Sequence, residues 1–81
     1  MEVIVSPDAV KYLRRLDIKT RERIKIALYG LSQEPPQGDI KRIHDVGSDV
    51  YRLRIGQFRA IFEKTDKIIV RKIGSRGDIY K

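Results

Sequence analysis

The stretch Val50-Tyr51-Arg52-Leu53-Arg54-Ile55-Gly56-Gln57-Phe58-Arg59-Ala60-Ile61-Phe62 decides the fold. Its apolar residues recur every second position, so Tyr51, Leu53 and Ile55 share one face of a strand and Arg52 and Arg54 the other. Gly56-Gln57 reads as a tight turn, and residues 58–64 as the returning strand, which carries Arg59. Thr65-Asp66-Lys67 makes a second turn, and residues 68–73 a third strand. Gly74, Ser75, Arg76 and Gly77 break the pattern, and residues 78–81 form a short tail. Consecutive strands joined by short turns form an antiparallel meander, one face of which must be covered.

The cover lies upstream. Residues 1–5, with the β-branched Val3, Ile4 and Val5, read as a first strand. Ser6-Pro7-Asp8 is a helix start: an N-cap, a proline at the first helical position and an acid at the positive end. Val10, Leu13 and Leu16 follow at helical spacing; Asp17 or Thr20 caps a second helix, with Ile24, Ala27, Leu28 and Leu31 on one face. Glu34-Pro35-Pro36-Gln37-Gly38 ends it. The expectation is a single α+β domain over residues 1–81: an N-terminal strand and an antiparallel helical hairpin packed on a twisted antiparallel sheet, in the order β-α-α-β-β-β.

An 81-residue chain leaves no room for a dinucleotide domain beside a substrate domain. Without cysteine there is no disulfide, thiolate zinc site or cysteine nucleophile, and one histidine excludes a His-rich metal site. No apolar run approaches the roughly 20 residues that span a bilayer, and the start has no basic region followed by a long apolar stretch, which predicts a cytosolic protein. The formal charge is +7. It is unevenly spread: residues 1–48 hold 9 basic and 7 acidic side chains, residues 49–81 hold 9 basic and 4 acidic.

Arg52, Arg54 and Arg59 fall on the polar face of the meander; Arg76 follows its last strand and Tyr80 lies four residues further on. Alternation alone fits a solvated sheet face as well as a site. The net +5 of residues 49–81 favours a nucleic-acid site, since guanidiniums match phosphate through paired donors. Lys41-Arg42 caps or solvates the start of the sheet, or lengthens a phosphate track. Lys11, Arg14, Arg15, Arg21, Arg23 and Lys25 are expected on the outer helix faces, or against an acidic partner. Tyr12, Tyr29 and Phe62 are expected in or beside the core, and His44 at the surface or an edge. No carboxylate pair converges and no Ser-His-acid triad is readable.

In this order the chain resembles the RelE/ParE toxin superfamily of prokaryotic toxin–antitoxin systems, on its RelE-like side. The likeness rests on Ser6-Pro7-Asp8-Ala9 to Leu16, on the Glu-Pro-Pro end of the second helix, and on residues 51–62, which are similar to the family's Tyr-Arg/Lys-x-Arg/Lys…Tyr/Phe-Arg-x-x-Tyr/Phe signature. Residues 73–81 resemble its closing Gly-His-Arg-x-Asp-Val-Tyr.

The resemblance implies a ribosome-dependent endoribonuclease that cuts messenger RNA in the ribosomal A site without metal or cofactor. It assigns Arg52 and Arg54 to the scissile phosphate, Arg59 to the transition state, Arg76 to substrate orientation or the leaving group, and Tyr80 to base stacking and proton transfer. Lys41, Arg42, Ser75 and Lys81 are then expected to bind RNA. Two departures bear on the general base: arginine stands at both Arg52 and Arg54, where some relatives carry lysine, and Ser75 stands where many carry histidine. Tyr80, with a reference pKa near 10, then needs surrounding arginine charge to lower it. The implied partners are an acidic RelB-like antitoxin, messenger RNA and the ribosome, with operator DNA bound only through the antitoxin complex. The alternatives are a ParE-like gyrase poison and a non-catalytic nucleic-acid-binding homologue.

Overall fold

The computed structural model describes residues 1–43 and 49–75. Seven elements follow in chain order: β1 (Val3–Val5), α1 (Pro7–Arg14), α2 (Ile18–Gly30), β2 (Asp39–Arg42), β3 (Val50–Ile55), β4 (Phe58–Lys64) and β5 (Ile68–Ser75). They build one five-stranded sheet in the order β1-β5-β4-β3-β2. The expected meander is β3-β4-β5, antiparallel throughout. β1 closes the far edge parallel to β5, with Val3 opposite Ile68 and Val5 opposite Val70.

The expected class holds, with one more strand than the pattern shows. β2 has a single apolar residue, Ile40, in four, too little for a period-2 signal. It pairs because β3 otherwise leaves a row of backbone donors and acceptors open at the sheet edge. The last strand also runs two residues past the expected end, through Gly74 and Ser75, because both pair with β4.

Both helix starts are capped as expected. The Ser6 hydroxyl accepts from the Ala9 N–H at 3.2 Å and donates to the Arg71 carbonyl at 2.7 Å. One side chain therefore ends α1 and ties it to β5. Ser6→Ala is expected to cost about 1–2 kcal/mol, seen as a fall of several degrees in a thermal melt. The Asp17 carboxylate accepts from the Thr20 hydroxyl at 2.6 Å and from its N–H at 3.1 Å. These bonds hold the Asp17 pKa below its ordinary 3.8. Its folded-state pKa is thus depressed, so the cap is complete above the unfolded value and is lost as pH falls through the folded one. Asp17→Asn, which caps without titrating, should lose less stability than the parent between about pH 5 and pH 2.

Arg21 departs from its expected place on an outer helix face. It is half-buried, and its guanidinium donates to the carbonyls of Leu13 at 3.1 Å and Leu16 at 2.9 Å. These carbonyls lie at and just past the end of α1, where a carbonyl keeps acceptor capacity to spare, so Arg21 clips the two helices together. Tyr29, expected near the core, is instead 70% exposed.

The core lies between the helices and one sheet face. Phe62, Ile24, Leu31, Leu53, Ile68 and Val70 are each less than 2% exposed. Phe62 stacks on its cross-strand partner Tyr51, centroids 5.5 Å apart. Gly56 takes a φ of +60° in the β3–β4 turn, the left-handed region that favours glycine.

Candidate nucleic-acid interface

Strand register sorts the polar residues. Arg52 and Arg54 on β3 alternate with the core residues Leu53 and Ile55, so they face away from the helices. Arg59 on β4 lies directly opposite Arg54, and Lys41 on β2 directly opposite Arg52. Three adjacent strands thus bring Lys41, Arg52, Arg54 and Arg59 to one face. Cross-strand Cβ atoms sit about 4.5–5.5 Å apart, and like charges so placed destabilise a sheet.

Burial divides the four. Arg54 and Lys41 are exposed. The Arg52 side chain is only 18% exposed, and Arg59 is 9% exposed, the buried charged residue among the described ones. Arg52 Nη2 lies 3.6 Å from Asp39 Oδ1, but Asp39 is itself 61% exposed. Such a contact is worth about 0–1 kcal/mol. Arg52 Nε and Arg59 Nη1 are both buried with no hydrogen-bond partner. An orphaned donor on a charged group costs more than a neutral one, about 1–3 kcal/mol or above. Two of them on neighbouring strands leave unmet donor capacity on the arginine face, which suits an acceptor with several oxygens. A phosphodiester has that chemistry.

Lys41 and Arg42 line a shallow depression of about 220 Å³ with Ile43 and Arg52. This joins the expected β2 pair to the arginine row. Ser75 falls elsewhere: it pairs with Phe58, a core residue, so alternation places it on the helix side, while its neighbour Gly74 pairs with Arg59 on the arginine side. Arg76, Tyr80, Lys81 and His44 lie outside the described residues. Among the described residues no group of three acidic or histidine side chains gathers to hold a metal ion, and no helix is long and apolar enough to cross a membrane.

Sequence reasoning missed Asp39, the carboxylate that meets Arg52 in the row. The signal was the two-residue spacing of Asp39 and Lys41, which puts both on one face once the segment is a strand.

The fold is shared with known proteins. The chain is similar over its length to the toxin of a RelB–RelE antitoxin–toxin complex from Methanococcus jannaschii: 28% identity, 95% of this chain and 94% of that one covered, TM-score 0.75. An archaeal RelE–RelB complex from Pyrococcus horikoshii gives 25% identity, coverage of 95% and 96%, and a TM-score of 0.70. The isolated RelE toxin of E. coli, at 21% identity, coverage of 98% and 89%, and TM-score 0.74, shares the fold. No curated protein sequence matches. The family model that does match, over residues 3–80, describes the ParE toxin of the type II toxin–antitoxin system parDE. The chain belongs to that toxin family, within the RelE/ParE superfamily and with the RelE-like fold.

Proposed function

We propose that the arginine face binds messenger RNA in the ribosomal A site and cuts it, and that an acidic RelB-like antitoxin holds the toxin inactive in a prokaryotic cytoplasm. The observation that carries this reading is the pair of buried, unpartnered guanidinium donors, Arg52 Nε and Arg59 Nη1. A merely solvated face leaves its cations in water with their donors hydrated. This face withdraws two of them from water and offers them nothing, which is costly unless an anion arrives.

The chemistry follows from what guanidiniums do. In RNA the ribose 2′-oxygen attacks the adjacent phosphorus, the P–O5′ bond breaks, and a 2′,3′-cyclic phosphate forms. One proton leaves O2′ and one reaches O5′. Arg59, fixed by burial, balances charge on the phosphoryl oxygens without reorganising. Arg52 and Arg54 hold the phosphate in line. Arginine stays protonated and is no base. By the family resemblance, proton transfer falls to Tyr80, with Arg76 at the leaving group. Lys41, Arg42 and Lys81 extend the contact, while Ser75 starts from the other face of its strand. DNA lacks the nucleophile and is not a substrate.

Two features suit the antitoxin. The formal charge of +7 complements an acidic chain. A groove of about 610 Å³ between β1 and the two helices, floored by Val3, Val5, Leu13 and Leu28, suits the apolar side of an amphipathic segment. Operator DNA would be bound only through that complex.

The matching family model describes a ParE toxin, which favours a second reading: a gyrase poison on the same fold. Primer-extension mapping on ribosomes with an empty A site separates the two. Discrete cuts in the A-site codon, absent with Arg59→Ala, are the expected result. No cuts from folded protein that still arrests growth would move the target to gyrase.

A further inference from the structure

A second cationic concavity lies beside α1. Asp8, Lys11, Tyr12 and Arg15 follow at helical spacing along one stripe. Across from them, a register shift in the β4–β5 ladder leaves Arg71 as an extra residue: Ile61 pairs with Lys72 and Phe62 with Val70. The bulge therefore presents two consecutive cations, Arg71 and Lys72, both exposed. These six residues and buried Ile73 line a space of about 420 Å³.

Four cations face one carboxylate there. Arg71 Nε is held by Glu63 Oε1 at 2.6 Å. Among the described residues, Lys11, Arg15 and Lys72 have no ion-pair partner within 4.0 Å. Lys11 and Arg15 are four residues apart, a repulsive spacing on a helix. The dipole of α1 favours cations at its end, but it does not account for the pair facing them on β5.

The concavity is continuous with the arginine face. Lys72, Ile61, Arg52 and Lys41 are successive cross-strand partners, one row over four strands. At about 4.8 Å per strand the row spans roughly 14 Å. Arg15 and Lys11 continue it beyond Lys72. The apolar lining is only half-buried Tyr12 and buried Ile73, too little to seat a protein helix. We propose that the concavity between α1 and the β5 bulge is a second phosphate site, holding the backbone of the same RNA strand outside the scissile linkage. Tyr12 offers an aromatic edge for a neighbouring base. The inference rests on the arginine face binding RNA, and not on its cutting RNA.

The test is binding of single-stranded 2′-O-methyl RNA, which no 2′-oxygen attack can cleave, in strands of about 4 and about 12 nucleotides. Single-strand affinity falls with salt with a log–log slope near −0.7 per phosphate contact. Lys11→Ala with Arg15→Ala should flatten the slope for the longer strand by about 1.4 and weaken it roughly tenfold or more at about 0.1 M salt. Lys19→Ala with Lys25→Ala, equal in charge but on exposed positions of α2, should change both far less. Equal losses in the two variants would mean diffuse charge and overturn the site, as would no loss in the first. All four positions are exposed, so melts should match the parent. If Arg59→Met weakens the short strand while Lys11→Ala with Arg15→Ala leaves the long one unchanged, the second site fails and the arginine face stands. If the long strand depends on Lys11 and Arg15 but ribosomes show no cuts, cleavage fails and the second site stands.

Discussion

Arg59→Met is expected to lower A-site cleavage by about 10²–10³-fold, the usual loss when one fixed donor to a developing oxyanion is removed. The same variant should fold at least as stably as the parent. Arg59 is 9% exposed, its Nη1 has no partner, and its strand neighbour across the ladder is Arg54. A methionine matches the aliphatic stem in length, keeps its packing and removes the buried donor that has no partner. The gain is expected at about 1–3 kcal/mol, the cost of the orphaned donor, and is read as a higher melting temperature. Arg59→Lys is the companion: it keeps the charge but loses the planar fork, so it should recover little activity. A structural arginine would behave oppositely. A melting temperature several degrees lower for Arg59→Met, with cleavage intact, would remove Arg59 from the site.

Phe62→Ala is expected to take away a large share of the folding free energy. Phe62 is 1% exposed, sits in the middle of β4, and stacks on Tyr51. Phenylalanine-to-alanine changes in cores cost about 3–5 kcal/mol. An 81-residue domain has about 4–12 kcal/mol in all. The variant should show a shallow or absent melt and should become soluble and folded only with its antitoxin, through mass action on the native state. Phe62→Leu, which fills much of the same space, should retain a cooperative melt well below that of the parent. A wild-type melt for Phe62→Ala would mean that the hairpin is not the centre of the core. The two experiments pull apart stability and activity: Phe62 holds the sheet together, and Arg59 is tolerated by it.

The hairpin was legible because its signal is local. Alternation over Val50–Ile55 and a glycine turn with φ of +60° place Arg52 and Arg54 on one face without reference to anything distant. The caps at Ser6 and Asp17 were legible for the same reason, since each bond spans three residues. β2 was not. Asp39–Arg42 carries one apolar side chain, and what makes it a strand is the open edge of β3, a property of another segment. Arg21 was misplaced for a similar reason. Its partners are carbonyls of another segment, which have acceptor capacity to spare only where α1 ends.

By itself, the sequence determined every element but β2, the turns, the sign of the charge and the face on which Arg52 and Arg54 lie, because these depend on period, capping and composition within a few residues. Only the tertiary structure decided which cations meet. The parallel pairing of β1 with β5, the register that sets Arg59 against Arg54 and Lys41 against Arg52, and the bulge that turns Arg71 and Lys72 out together all depend on contacts between distant segments. So does the burial of two guanidinium donors without partners, the feature that turns a charged sheet face into a candidate site. Burial is a sum over neighbours from the whole chain, and no local pattern of residues encodes it.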